Sequence, residues 1–372
     1  MQSKCRTRPL LRLTSVAVLA GSLLAVPAVA GAETGHRSTT GHHRNDTAVA
    51  LTDVVSDLPG RAQITDPALV NPWGMSLSPT SPVWTSNNGT DSATLYTGGV
   101  DGAAAIKVPL NVPIDGGAPT GQVFNDTTAF TVSGAGGSGS ARFIFASESG
   151  NITAWNPAAG PDAQVQIHVP GAVYKGLALL HTPVGPFLLA ADFHHARIDV
   201  FDGSFQRVFL PAPFFWDRHL PLGYAPFNVA VLDDRIFVSY AKQDATGTDE
   251  IAGKGKGFVD EYVGFGLAAH RIASHGTLNA PWGLAIAPES FGRLAGDLLV
   301  GNFGDGRITA FDAWSGRSHG LLRDERGRVI SIDGLWALLQ GTAASGGTDA
   351  LWFSAGIDDE AHGLVGLITS AD

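Results

Sequence analysis

Two nearly matching stretches, NPWGMSLSP at residues 71–79 and APWGLAIAP at 280–288, place Trp73 and Trp282 209 positions apart. That separation is close to four steps of roughly fifty residues, a period that belongs to repeat architectures. Further copies are found in VYKGLALL and APFNVAVL between them and in SIDGLWALL beyond the second. Their reference residues Gly176, Asn228, Gly283 and Gly334 follow one another at steps of 52, 55 and 51. The 102-residue gap between Gly74 and Gly176 holds two units. Its degenerate segment 129–157 is read as the missing one, with the GAGGSGSA run as an exposed loop. Six units result.

Each unit is built from short runs such as VWTSNN, FIFAS, FLLAAD, RIFVSY, DLLVGN and LWFSA, bounded by turn formers. Runs of five or six residues rich in Val, Ile, Phe and Trp read as strands. No stretch after the N-terminal thirty residues sustains a helical period. The expected fold is therefore all-β: a six-bladed β-propeller of four-stranded antiparallel blades. A lone blade cannot cover its own faces, so neighbours stack in a ring. VALTDVV at 49–55 is placed to pair as the outer strand of the last blade and close the circle. A β-helix or a sandwich is the structural alternative, with shorter or less regular units. In the repeated PWG corner, Gly permits close approach of backbones and Pro fixes the turn that leads into the inner strand.

The organisation along the chain is expected to be a leader at 1–30, a tether at 31–48 and the propeller at 49–370. Lys4, Arg6, Arg8 and Arg12 precede an apolar run from Leu13 to Val26 and small residues at Ala28 and Ala30. That order defines a secretory signal peptide cleaved after Ala30, and hence an extracellular mature chain. The apolar run is shorter than the roughly 20 residues that span a bilayer, so no membrane insertion is expected. The single cysteine, Cys5, leaves with the leader, which excludes disulfides, thiolate catalysis and cysteine metal sites. Formal charge is −10, and removal of four cationic leader residues takes it near −14. An acidic surface argues against nucleic acid as a partner and suits a cationic ligand or metal ion. The tether, rich in Gly, Ser, Thr and His, cannot bury enough surface to order itself. Its His36, His42 and His43 are read as part of a solvated linker rather than a metal site.

The blade units resemble the NHL-repeat type of six-bladed propeller, APWGLAIAP followed by DLLVGNFGDGRITAFD being the clearest copy and RIDVFD repeating its end. More closely, SDLPGRAQITDPALVNPWG, FIFASESGNITAWNP, LNAPWGLAIAPESFG and LWFSAGIDDEAHGLVGLI resemble a family of secreted bacterial propellers. The resemblance implies the fold and carries no established activity.

In a propeller, the turns leading into the inner strands and those after the second strands emerge on one face, around the channel mouth. There they form a concave site with convergent polar groups. Those turns nominate Trp73, Asn87 and Asn88; Glu148; Asp192, His194 and His195; Asn228, Tyr240 and Lys242; Trp282, Asn302 and Asp305; and Asp333, Asp358, Glu360 and His362. One reading places Ca²⁺ among Glu148, Asp192, Asn228 and Asp333, since this ion takes six to eight oxygen ligands and acts as a Lewis acid on a lactone or ester carbonyl. Gluconolactonase-type propellers do this with Glu, Asn and Asp, the last two just before the inner-strand glycine. Only Asp333 of SIDG stands there in this chain. Trp73 and Trp282 hold the corresponding places, and Asn228 sits one place late.

Asp192, His194 and His195 of DFHH suit a base and its orienter or transition-metal ligands; the competing reading is a turn carboxylate capping backbone N–H groups. His362 of AHG stands between the same alternatives. Trp73 and Trp282 are either wedges between blades or a platform for a sugar, while Met75, Phe303 and Trp336 are assigned to the core. GAGGSGSA lacks the Lys-Ser/Thr and helix of a phosphate loop, and ASESG is no nucleophile elbow. Asn45, Asn88, Asn125 and Asn151 lie in sequons that matter only in a glycosylating host.

The expectation is a monomer that recognises a small molecule, a sugar or a cell-wall protein through this face. The alternative is a metal-dependent lactonase, esterase or lyase.

Overall fold

The computed structural model describes residues 47–211 and 213–371. The leader, Cys5 and the tether histidines lie outside these residues. Strands form six antiparallel sheets whose inner strands are Pro72–Ser76, Pro119–Phe124, Tyr174–Thr182, Tyr224–Leu232, Pro281–Ile286 and Leu335–Gln340. Blades one to five have four strands in simple order outward. Blade six takes three strands from the C-terminal segment, and its fourth, Val49–Ser56, runs antiparallel to His362–Ser370. The ring is thus closed by the strand foreseen at 49–55. A short strand, Ile64–Thr65, adds to the outside of this sheet in parallel.

Apolar side chains alternate along the strands and fill the spaces between blades. Phe130, Ile144, Leu177 and Phe201 pack between blades two and three. Leu299, Leu335, Leu351 and Phe353 pack between blades five and six.

The six inner strands share one irregularity near their first residues, where pairing with the second strand slips. The slips contain Trp73, Thr120, Lys175, Phe227, Trp282 and Trp336. A bulge bends the strand and re-aims a side chain, and here it does so once per blade beside the axis. The next position is Gly74, Gly121, Gly176, Asn228, Gly283 and Ala337, small in five of six because backbones of adjacent blades meet there. A Cβ on Gly74 would lie 2.5 Å from the Thr120 carbonyl oxygen and 2.9 Å from the Gln122 nitrogen. Gly74→Ala is expected to cost about 2–3 kcal/mol through overpacking. Urea unfolding checks this, and a cost under about 0.5 kcal/mol would mean that the blades slide apart freely.

Two blade assignments change. The inner strand of blade two is Pro119–Phe124, upstream of 129–157, and Thr131–Gly134 with Gly137–Ser140 form a separate hairpin. Its corner carries Pro119-Thr120-Gly121, so no tryptophan marks it. In blade six Trp336 and Ala337 hold the corner. Gly334 lies before the strand at φ +59, so Asp333 is out of register with the residue preceding the repeat glycine.

Candidate functional site

The bulged residues of blades one, four, five and six meet on the axis as an aromatic plug. Trp336 stacks on Trp73 with centroids 3.5 Å apart and on Phe303 at 4.0 Å. Trp282 stands edge-on to both tryptophans, and Phe227 leans on Trp336 at 5.9 Å. Trp73, Trp282 and Trp336 are at most 4% exposed. The Trp282 Nε1–H donates to the Lys175 carbonyl and that of Trp336 to Asn71 Oδ1, each at 3.0 Å. Trp73 Nε1 is buried with no hydrogen-bond partner among the described residues. The tryptophans nominated as a sugar platform therefore present no open face.

Above the plug, on the face where the inner strands begin, blade three contributes a cation where blades one, four, five and six place an aromatic ring. Lys175 is 1% exposed. Its Nζ lies 5.0 Å from the Trp73 centroid, 2.5 Å from Glu148 Oε1 and 3.4 Å from Asp249 Oδ1. Burial alone would pull the ammonium's pKa down. The charges of Glu148, Glu250 and Asp249 outweigh it and hold the value above lysine's ordinary one, so Lys175 is a cation at neutral pH.

Around it, Asn88 Nδ2 donates to Glu148 Oε2 at 3.0 Å, and Asn71 Nδ2 donates to Glu360 Oε2 at 2.6 Å. Burial raises Glu250 to about 7 against the opposing pull of Lys175, with Glu360 and Asp249 raising it further. Glu360 is also raised, chiefly by burial, while Asn71 opposes the shift and Glu148 adds to it. One ammonium thus faces four carboxyl groups and two side-chain amides.

Among the nominated residues, this cluster gathers Asn88, Glu148 and Glu360. The others hold the turns together. Asp192 is fully buried and binds His195 Nδ1 at 2.7 Å, the His195 N–H and Arg197, which is the capping alternative for DFHH. His194 packs beside Gly247. Asn228 ties blade four to the Trp282 carbonyl, and Tyr240 donates to or accepts from Tyr262 in the core. Asn302 bridges Thr277 and Asp305, Asp333 accepts the Asp358 N–H, and His362 pairs with Asp57. Asn87 is buried against Thr94, and the Lys242 carbonyl accepts from Ile251.

Lys175, Asn71, Asp249 and Glu250 were not anticipated. The signal for Lys175 is its place in YKG, one residue before the repeat glycine, where Trp73 and Trp282 stand. Asp249 and Glu250 come from the long connection at 243–257, which no period marks.

The Ca²⁺ set does not assemble. Glu148 is the counter-ion of Lys175, Asp192 and Asp333 are bonded within their own corners, and Asn228 donates to the Trp282 carbonyl of the next blade. Among the described residues, no group of three or more His, Cys, Asp or Glu side chains is placed to hold a metal ion.

Fold and site together define a six-bladed β-propeller with a plugged axis and a charged cluster over the plug. The chain is 32% identical over 346 residues to Uncharacterized protein R648 of Acanthamoeba polyphaga mimivirus, covering 88% of this chain and 82% of that protein. It is 33% identical over 320 residues to Uncharacterized protein L690 of the same virus, covering 82% and 81%. The chain belongs to the family of these viral proteins. No family model matches. A solved protein of unknown function from Bacteroides thetaiotaomicron VPI-5482 superposes with TM-score 0.52 at 12% identity, over 86% of this chain and 75% of that one, a likeness of fold alone. The relatives reported are viral, whereas the sequence resemblance pointed to a secreted bacterial family.

Proposed function

We propose that the chain is an exported recognition propeller whose upper face binds an organic cation, an amine or guanidinium on a small molecule or a peptide, over the Lys175 cluster. The observation that carries this reading is the charge imbalance at the axis. Four carboxyl groups surround one buried ammonium, and two of them are held above their ordinary pKa, chiefly by burial and further by repulsion from the neighbouring carboxylates. An incoming cation would relieve that repulsion and keep Glu250 and Glu360 ionised. Export rests on the leader-like residues 1–30, and the acidic composition of the remainder agrees with a cationic ligand.

Spermidine and arginine amide, titrated calorimetrically against glucose as the neutral control, test the reading. Cation binding favours ionised Glu250, so affinity should rise with pH, by at most about tenfold per unit below 7 for one linked proton, and level off above. Glu250→Gln should flatten the dependence. Equal binding of glucose, or amine affinity independent of pH in the wild type, would count against the proposal.

A second reading is favoured by Glu250 alone: a carboxyl near 7 beside a fixed ammonium suits general-base catalysis. In that form, a lactonase, esterase or lyase would work without a metal, and turnover of a lactone panel that disappears in Glu250→Gln would establish it.

A further inference from the structure

Below the plug, the channel widens into a cavity of about 560 Å³ lined by all six inner strands. That is a size typical of small-molecule sites. Four residues past each bulge stand Leu77, Phe124, Leu179, Val231, Ile286 and Gln340, one from each blade, all lining this space. The five apolar ones are only half-buried, and covering apolar surface is favourable by about 25 cal/mol per Å². Each inner strand is also the last of its sheet, so its unpaired backbone N–H and C=O groups face the channel. A bulky apolar body would strip those groups of water, whereas a slender chain need not.

The mouth has one sign of charge. Asp233 and Asp234 are exposed in the two-residue turn after Leu232, with φ of 48° and 59°. Asp126 lies on the same lining, 2.7 Å from His181 Nε2. Among the described residues, no lysine or arginine lines the cavity.

We propose that this lower channel binds a slender amphiphile whose apolar chain lies along the axis and whose cationic head rests among Asp126, Asp233 and Asp234. An alkylamine is the simplest such molecule. The site is separate from the Lys175 cluster, because the aromatic plug stands between them.

Calorimetric titration with octylamine, octanol and octanoate at pH 7 tests the assignment. Octylamine is expected to bind at least about tenfold more tightly than octanol, with octanoate weakest, a spread of about 1.4 kcal/mol per tenfold step. Val231→Trp should fill the channel and weaken octylamine at least tenfold. The double variant Asp233→Asn/Asp234→Asn should bring octylamine to the level of octanol. Asparagine tolerates the left-handed turn, so this exposed pair remains informative even if Val231→Trp does not fold. Methylamine, which has no chain to fill the channel, reports the upper cluster separately, and Glu360→Gln should weaken methylamine while leaving the extra affinity of octylamine over methylamine intact. Failure of octylamine to bind, equal affinity for octylamine and octanoate, or indifference to the Asp233/Asp234 pair would overturn the proposal. So would loss of that extra affinity in Glu360→Gln, which would move the chain to the upper cluster.

Discussion

Trp336→Ala is expected to destabilise the propeller by about 4 kcal/mol, the range for deleting a fully buried tryptophan. The indole fills the axis between Trp73 and Phe303 and makes edge contacts with Trp282 and Phe227. The neighbours are held by three different blades, so they cannot all close on the void. The variant also removes the donor that fixes Asn71 Oδ1. Asn71 holds Glu360, so the upper cluster should loosen along with the core. Urea unfolding followed by circular dichroism measures the first effect. A loss of less than about 1.5 kcal/mol would show that the plug collapses without penalty, against the rigidity inferred from the stacked rings.

Glu148→Gln should also have a large effect. It leaves the Lys175 ammonium buried with only Asp249, whose side chain is 70% exposed, within 4 Å. Breaking a buried pair by removing one partner costs about 3–5 kcal/mol when both are buried. Glu148 is 28% exposed, so about 2–3 kcal/mol is expected here. Lys175→Met should cost less, because the carboxylates it abandons reach water and Glu250 readily takes a proton. The double variant should recover part of the loss, and a double-mutant cycle gives the coupling directly.

The pH dependence follows from the raised lysine value. A cation whose folded pKa lies above its unfolded one contributes fully at neutral pH, and that contribution fades only as pH climbs past lysine's ordinary range. A cycle coupling near zero, or one that vanishes between pH 6 and 8, would contradict the pairing.

Much of this molecule could be read from its residues. The corner tryptophans Trp73 and Trp282, each followed by a glycine, repeat because backbones cross at the same crowded place in each blade. The strand at 49–55 could be matched to the ring because an unpartnered outer edge is costly. Blade two escaped because Thr120 replaces the aromatic residue at its corner, and a period marked by side-chain type is blind to a substituted copy. The site was harder for a chemical reason. Asp192, Asn302 and Asp333 are the residue types expected of a binding mouth and equally those that close turns on backbone N–H groups, and in this chain they do the second. Lys175 was hidden by the opposite prejudice, since a lysine among apolar residues reads as solvent-facing unless its register with Trp73 and Trp282 is noticed.

The zipped ends of blade six have a mechanical consequence. Val49 pairs with Ser370, and the Ala371 N–H donates to the Ala48 carbonyl, so both ends of the body leave the ring side by side. Tension applied between them would load the antiparallel ladder one rung at a time instead of shearing all rungs together. The ring would therefore yield to a pull at this seam before its packed core gives way, peeling open from Val49 toward Ser56.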